Sequence, residues 1–303
     1  MENFKNNLEK SILATIAYFD VFDYTMTVAE IWKWLWAENS EAIEISEIKN
    51  LLEESEFLKS LVGNGRGFYY LKGKEKLAEL RQKRYNLAEK KLRKARRAVR
   101  FLGLMPGVKM IAVCNSLSWA NASEGSDIDL FVVTARNKIW TSRFWTAGFL
   151  ALLGLRPKKN KTRDKICLSF FVDEDSLDLR PLAIGESDIY LMYWVSQLMP
   201  LYDKDGVYQK FWISNTWVNN FLPNIFPREQ VVVAKKNNSA GRSGFGEKFF
   251  RWLQIKMMPA NLKEMANRDS RVVVTDKILK FHANDRREEY KQKWIKRTHE
   301  LGI

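Results

Sequence analysis

Two aspartates stand together at the mouth of a strand. The stretch is Ser126-Asp127-Ile128-Asp129-Leu130-Phe131-Val132-Val133-Thr134, and its apolar, β-branched run from Leu130 calls for burial in a sheet. Side chains alternate along a strand, so Asp127 and Asp129 point one way while Ile128 and Leu130 point into the core. Two carboxylates that close repel, and one tends to stay protonated unless a cation lies between them. An all-oxygen pair suits Mg²⁺ or Mn²⁺ better than zinc. The pair therefore needs a sheet to hold it and a positive charge to neutralise it.

The preceding strand, Val108 to Cys114, runs directly into Asn115-Ser116. A strand-to-helix turn presents free backbone N–H groups, which attract phosphate, and Ser116 adds a hydroxyl donor. Ten residues separate Ser116 from Asp127, enough for a helical turn and a loop before the chain returns beside its first strand. A phosphate cradle at Asn115-Ser116 and a metal pair at Asp127 and Asp129 would then share one cleft. The next strand, Ile166 to Val172, lies in KICLSFFVDED. Strict alternation puts Cys167, Ser169, Phe171 and Asp173 on one face. Ser169, at the centre, cannot act as a carboxylate. Asp173 has the right parity at the strand's end, and Asp175 is a second candidate. Asp173, Asp175 and Asp178 also read as an acidic surface turn.

Alternating strands and helices over 104–182 give an α+β core. Ahead of it, helices at Leu8–Phe19, Val28–Ala37 and Ile45–Glu54 and a hairpin around Gly63 to Gly67 make a winged-helix pattern over 1–73. Its third helix and flanks carry Glu41, Glu44, Glu47, Glu53, Glu54 and Glu56 against Lys49. That charge opposes insertion beside phosphates and favours a structural or protein-contact role. A helix over 74–103 connects the two, with ten Lys or Arg and one Glu between Arg81 and Arg100. That stripe is either a solvated face or a surface for an anionic partner. The region 183–303 reads as helical, with helices at Ser187–Met199 and Gly206–Phe221 and a polar loop over 234–247. The segment GEKFFRWLQIKMM is basic and amphipathic, which fits core packing or contact with a membrane surface.

The net charge of +14 agrees with an anionic ligand. Cys114 and Cys167 sit in apolar runs as buried thiols, so a reducing cytoplasm is expected. His282 and His299 are too few for a zinc set, and no Ser-His-Asp triad can be assembled. The start of the chain, MENFKNNLEK, does not read as a signal peptide, and the longest apolar run, Ile139 to Leu155, contains Arg143 and is too short to span a bilayer.

Residues 110–134 resemble the signature of the nucleotidyltransferase superfamily with the polymerase-beta-like fold: an apolar strand, Gly-Ser, about ten residues, then Asp-x-Asp opening another strand. Ser116 matches its serine, and Asp127 and Asp129 match its metal-binding aspartates. The likeness covers roughly residues 90 to 180; some bacterial members carry flanking additions such as the winged helix and C-terminal helices. It implies a mixed sheet with flanking helices and an Mg²⁺- or Mn²⁺-dependent enzyme. Such an enzyme would transfer a nucleoside monophosphate from an NTP to an acceptor hydroxyl, whether of RNA, a protein or a small molecule, with release of pyrophosphate. Two departures stand out. Asn115 replaces the glycine, although asparagine tolerates the left-handed region better than most residues. The third carboxylate, which the family often carries on the next strand, is left to Asp173. These departures keep open an alternative, a catalytically degenerate regulatory protein that binds nucleotide or nucleic acid.

Overall fold

The computed structural model describes residues 2–158, 161–185, 187–228 and 245–303. The N-terminal part contains α1 (Glu2–Asp20), α2 (Val28–Lys33), α3 (Ile45–Glu54) and α4 (Glu56–Leu61), then the antiparallel hairpin β1 (Val62–Gly65) and β2 (Phe68–Leu71). A capping box starts α2, with Thr27 and Glu30 satisfying each other's backbone N–H. The helix ends four residues before the expected Ala37. There the chain turns away to bond elsewhere: Trp36 N–H donates to Thr15 Oγ1 and Ala37 N–H to the carbonyl of Phe221. The hairpin turn is tighter than expected and consists of Arg66-Gly67, both at positive φ (57° and 81°). Gly63 lies inside β1 because the Tyr70 ring covers it; a Cβ there would fall 2.8 Å from that ring.

The remaining elements are α5 (Leu77–Leu102), β3 (Val108–Val113), α6 (Asn115–Ser118), β4 (Ile128–Thr134), α7 (Ile139–Leu152), β5 (Ile166–Asp173), α8 (Ile189–Gln197), β6 (Met199–Asp203), α9 (Val207–Ser214), α10 (Phe245–Lys256), α11 (Ala260–Met265), β7 (Val272–Val274), β8 (Ile278–Phe281) and α12 (Arg287–Glu300). They build a mixed α+β structure around one six-stranded sheet of order β6-β3-β4-β5-β8-β7. Only β4 and β5 are parallel, joined by the crossover through α7. The expectation of a helical C-terminal region needs correction, since that region supplies β6, β7 and β8. Pro200 reads as a helix stop, yet it sits in β6 at the sheet edge, where a missing N–H is tolerated. The strands β7 and β8 are too short to show a period. The polar stretch 234–244 lies outside the described residues.

Each face of the sheet has its own core. One contains Val108, Ile111, Ile128, Leu130, Val132 and Phe171 with side chains of α5 and α7. The other contains Met110, Ala112, Phe131, Val133, Phe170 and Val172 with α8 and α9, and runs on without a break into Leu8, Ile12, Phe19, Leu35 and Ile48 of the N-terminal helices. The N-terminal part is thus packed into the same core as the sheet. The basic stripe of α5 is partly internal. Arg81 pairs with Glu30 at 2.8 Å and lies over the Tyr24 ring, and Lys91 is buried against the loop before β4. Lys83, Lys90, Arg93, Arg97 and Arg100 remain exposed.

Candidate metal centre

The β3–β4 ladder ends where Cys114 N–H meets the carbonyl of Asp129. At that point Asn115 takes φ 55°, the left-handed conformation for which glycine is ordinarily kept. The turn aims the Asn115 side chain at β4, and its Nδ2 donates to Asp129 Oδ2 at 2.9 Å. The amide is held from behind, since Trp194 Nε1 of α8 donates to Asn115 Oδ1 at 2.9 Å. Ile128 and Leu130 are buried in the opposite core, as alternation requires, which fixes the direction of Asp127 and Asp129. Ligand atoms of Asp127, Asp129 and Cys167 all lie within 4.8 Å of one another. The convergence read from the i, i+2 spacing is present, with a thiol as its third member.

The charge balance of this cluster is unfavourable without a cation. Burial raises the pKa of Asp127, opposed in part by Lys91. Asp129 is pushed up to about 6, by burial first and the neighbouring Asp127 second, against the hydrogen bonds from Asn115 and Cys167. Burial and Asp129 push Cys167 up to about 12, so its thiol keeps its proton and donates. The donor set fits a hard divalent cation through the two carboxylates. A protonated thiol adds little to such a site, leaving the further positions to water and ligand oxygens.

Asp173 does not belong to this cluster, which corrects the parity argument. In the β4–β5 ladder Asp129 pairs with Cys167 but Phe131 pairs with Phe170, so three residues of β5 oppose two of β4. This bulge reverses the alternation: Phe170 joins the core on the Phe131 side and Phe171 the other. Asp173 pairs with Thr134, five positions beyond Asp129, or roughly 16 Å along the strand. It is fully buried, its oxygens accepting the N–H groups of Asn137 (2.9 Å) and Asp175 (2.7 Å). Asp175 pairs with Arg136, and Asp178 with Arg180. Asp173→Asn should therefore cost about 1–2 kcal/mol in urea unfolding, because one N–H would face an amide donor. It should leave NTP affinity by calorimetry unchanged; a lost affinity would return Asp173 to the site.

A cavity of about 320 Å³ opens in front of Asp129 and Cys167. Its lining also includes Lys280, His282, Arg286 and Tyr290, with Asp285 and Arg287 among them. Ser169 Oγ lies 3.0 Å from His282 Nε2, and burial with nearby Lys280 brings that imidazole down to about 4, so it is neutral at pH 7. Lys280 is brought down to about 8, mainly by burial. Ser116 opens on a second, adjoining cavity of about 240 Å³ lined by Tyr18, Phe22 and Trp119, with Asn115, Tyr190, Trp194 and Tyr290 bordering both. Thus Asn115 touches the carboxylate pair directly through Asp129, while Ser116 faces the aromatic annex beside it.

Sequence reasoning missed several of these roles. Lys91 Nζ donates to the carbonyl of Ser126 at 2.7 Å and to Asp164 at 2.6 Å, holding the loop that delivers Asp127. It was hidden in a run of like charges. His282 meets Ser169 across 113 positions, and no local pattern marks such a pair. Compared with known protein families, with curated proteins and with solved structures, the chain matches none.

Proposed function

We propose that this chain is a divalent-metal-dependent nucleotidyltransferase that moves a nucleoside monophosphate from an NTP to an acceptor hydroxyl. The observation that carries the reading is the Asp127–Asp129 pair, convergent, partly buried and short of countercharge, with Asp129 lining a cavity that Lys280, Arg286 and Arg287 also line. Asp127 and Asp129 would hold Mg²⁺ or Mn²⁺. A metal bound there would neutralise phosphate charge and align the α-phosphorus for in-line attack. Asn115 orients Asp129, and Lys91 fixes the Asp127 loop. The backbone at Asn115, which borders both cavities, would contact the terminal phosphates, and Lys280 and Arg286, paired with Asp285 and Glu289, would still favour the anion electrostatically. The acceptor oxygen bonds to the α-phosphorus as the bond to pyrophosphate breaks. The acceptor's proton passes to water, because the imidazole of His282, brought down to about 4 and held against Ser169 Oγ at 3.0 Å, is too weak a base to take it efficiently at pH 7. The sheet with flanking helices is compatible with the polymerase-beta-like fold, and the hairpin that follows α1 to α4 is compatible with a winged helix carrying one added short helix. The acidic outer side of α3 argues for a structural role there.

A specific observation favours a second reading. Cys167 stands in register with Asp129, where a third carboxylate would sit, and keeps its proton. A protein so equipped can bind an NTP with its metal and turn it over slowly or not at all. The two readings part in one experiment. Purified protein is incubated with each α-labelled NTP and Mg²⁺ or Mn²⁺, with RNA, protein and metabolite fractions added in turn. Label transfer with pyrophosphate release, lost in Asp129→Asn, supports the enzyme. Metal-dependent NTP binding without transfer supports the regulatory protein. In either case Cys167→Asp should tighten metal binding about tenfold or more, since it adds a hard anionic ligand beside two others. Unchanged metal affinity in that variant would remove Cys167 from the ligand position.

A further inference from the structure

Core packing uses only one side of α10. Phe250 stacks on Phe144 of α7 at 4.4 Å, and Gln254 bonds Arg143 at 2.7 Å. The other apolar side chains face outward: Phe249 is 50% exposed, Trp252 56% and Met257, just past the helix, 73%. The surface continues on α7, where Trp145 is exposed and Leu152 is 86% exposed. The two helices bring several of these residues close together. Trp145 lies 6.4 Å from Phe250, Phe249 lies 6.2 Å from Trp252, and Met257 borders one cavity with Gly148 and Ala151. An apolar patch of this extent on one side of a chain ordinarily marks a contact surface.

The charge around the patch is mainly positive. Lys248, Arg251 and Lys256 are exposed on the same helix, and Lys256 Nζ sits 5.1 Å over the Trp252 ring. The one carboxylate of α10, Glu247, turns inward and accepts the N–H groups of Trp140 and Thr141 at the start of α7. Asp276 meets Arg251 at 2.9 Å. Behind the patch, Arg143 and Arg156 border a cavity of about 450 Å³ whose remaining lining is apolar apart from Gln254. Neither arginine has a carboxylate partner among the described residues, and Arg143 Nε is buried without any partner. Aromatic and aliphatic side chains set among lysines and arginines match the headgroup boundary of an anionic bilayer.

We propose that the α7–α10 face docks on membranes containing anionic phospholipids, laying Phe249, Trp252, Leu152 and Met257 into the interface. A second copy of this chain fits less well, because it would set Lys248, Arg251 and Lys256 against their own images. A nucleic acid would meet the charges but leave Leu152 and Met257 without a use. The inference stands apart from the nucleotide site.

The test is co-sedimentation of the full chain with vesicles of phosphatidylcholine alone and of phosphatidylcholine mixed with phosphatidylglycerol. Binding is expected to the mixed vesicles and to weaken as salt is raised. The double change Phe249→Glu and Trp252→Glu should lower it by roughly tenfold or more. Lys248→Glu and Lys256→Glu should each lower it about fivefold. Circular dichroism checks the fold of each variant; if the double variant fails it, Met257→Glu serves, since that residue is largely free of the core. Three results would overturn the proposal: no binding to the mixed vesicles, binding that the apolar variants leave unchanged, or a dimer in solution that Trp252→Glu dissociates.

Discussion

Asp129→Asn should abolish metal-dependent NTP binding and, at the same time, make the metal-free protein more stable above pH 6. The two effects share one cause. Burial and Asp127 raise the carboxyl of Asp129 from 3.8 to about 6 in the folded protein. The folded state therefore holds that proton more tightly than the unfolded chain does. Stability falls as pH rises from about 4 to about 6 and stays reduced above that range. A shift of this size corresponds to about 3 kcal/mol at most, and relaxation around a partly solvated pair brings the expected gain of the variant to about 1–2 kcal/mol. Asparagine carries no charge to desolvate, and its carbonyl can still accept from Asn115. The gain should vanish below pH 4, where the wild-type carboxyl is protonated in both states. Urea unfolding with chelator at pH 4, 6 and 8 measures it, and adding Mg²⁺ should stabilise the wild type alone. A variant less stable than wild type at pH 8 would mean that the carboxylate is a structural acceptor for Asn115 and Cys167, and the metal assignment would fall.

Why this pair could be read in advance, and its third member could not, is a matter of range. The convergence of Asp127 and Asp129 depends on two-residue alternation, which any strand enforces locally. The left-handed Asn115 was likewise legible, because the residue types that tolerate positive φ are few and the turn follows a buried strand. Cys167 depends on something else. The bulge in β5 arises because Phe170 packs on Phe131 and Trp194 while the next residue, Phe171, enters the other core. That choice is made by side chains far away in the sequence, and KICLSFFVDED contains no glycine or proline to announce it. Alternation run through the bulge delivers Asp173 to the wrong face. The three C-terminal strands were illegible for a related reason. Pro200 in β6 and the brief runs of β7 and β8 carry too little period to compete with the helical pattern around them, and only the pairing of β6 with β3, of β8 with β5 and of β7 with β8 makes them strands. The same holds for Lys91 and Arg81, whose structural roles inside a basic stripe depend on Asp164 and Glu30.

The largest stability effect should come from the buried cation that ties α12 to the sheet. Arg287 opens that helix and is 7% exposed. Its guanidinium reaches Asp188 at 2.7 Å, Asp285 at 2.8 Å, the carbonyl of Leu182 at 2.8 Å and Ser270 Oγ at 2.7 Å. Lys280 joins through Asp285 at 3.2 Å. Each acid has a second duty. Asp188 caps α8 by accepting the N–H of Leu191, and Asp285 accepts the N–H of Arg287. Removing the arginine leaves both carboxylates buried, with Lys280 answering only one. Arg287→Met keeps the aliphatic body and should cost about 3–5 kcal/mol, which is the usual loss when one partner of a buried ion pair is taken away. Arg287→Lys should recover little of this, since one ammonium cannot span the four acceptors that the planar fork reaches. Adding Asp188→Asn to Arg287→Met should restore about 1–2 kcal/mol, because the amide still caps α8 without an unpaired charge. Urea denaturation of the wild type, Arg287→Met, Asp188→Asn and the double variant gives that coupling. A loss below about 1 kcal/mol for Arg287→Met would mean that water reaches the acids and that the network holds nothing in place. A large loss makes it the clamp that sets Arg286 and Tyr290 in the lining of the cavity that Asp129 shares, so that the geometry of this cavity depends on α12.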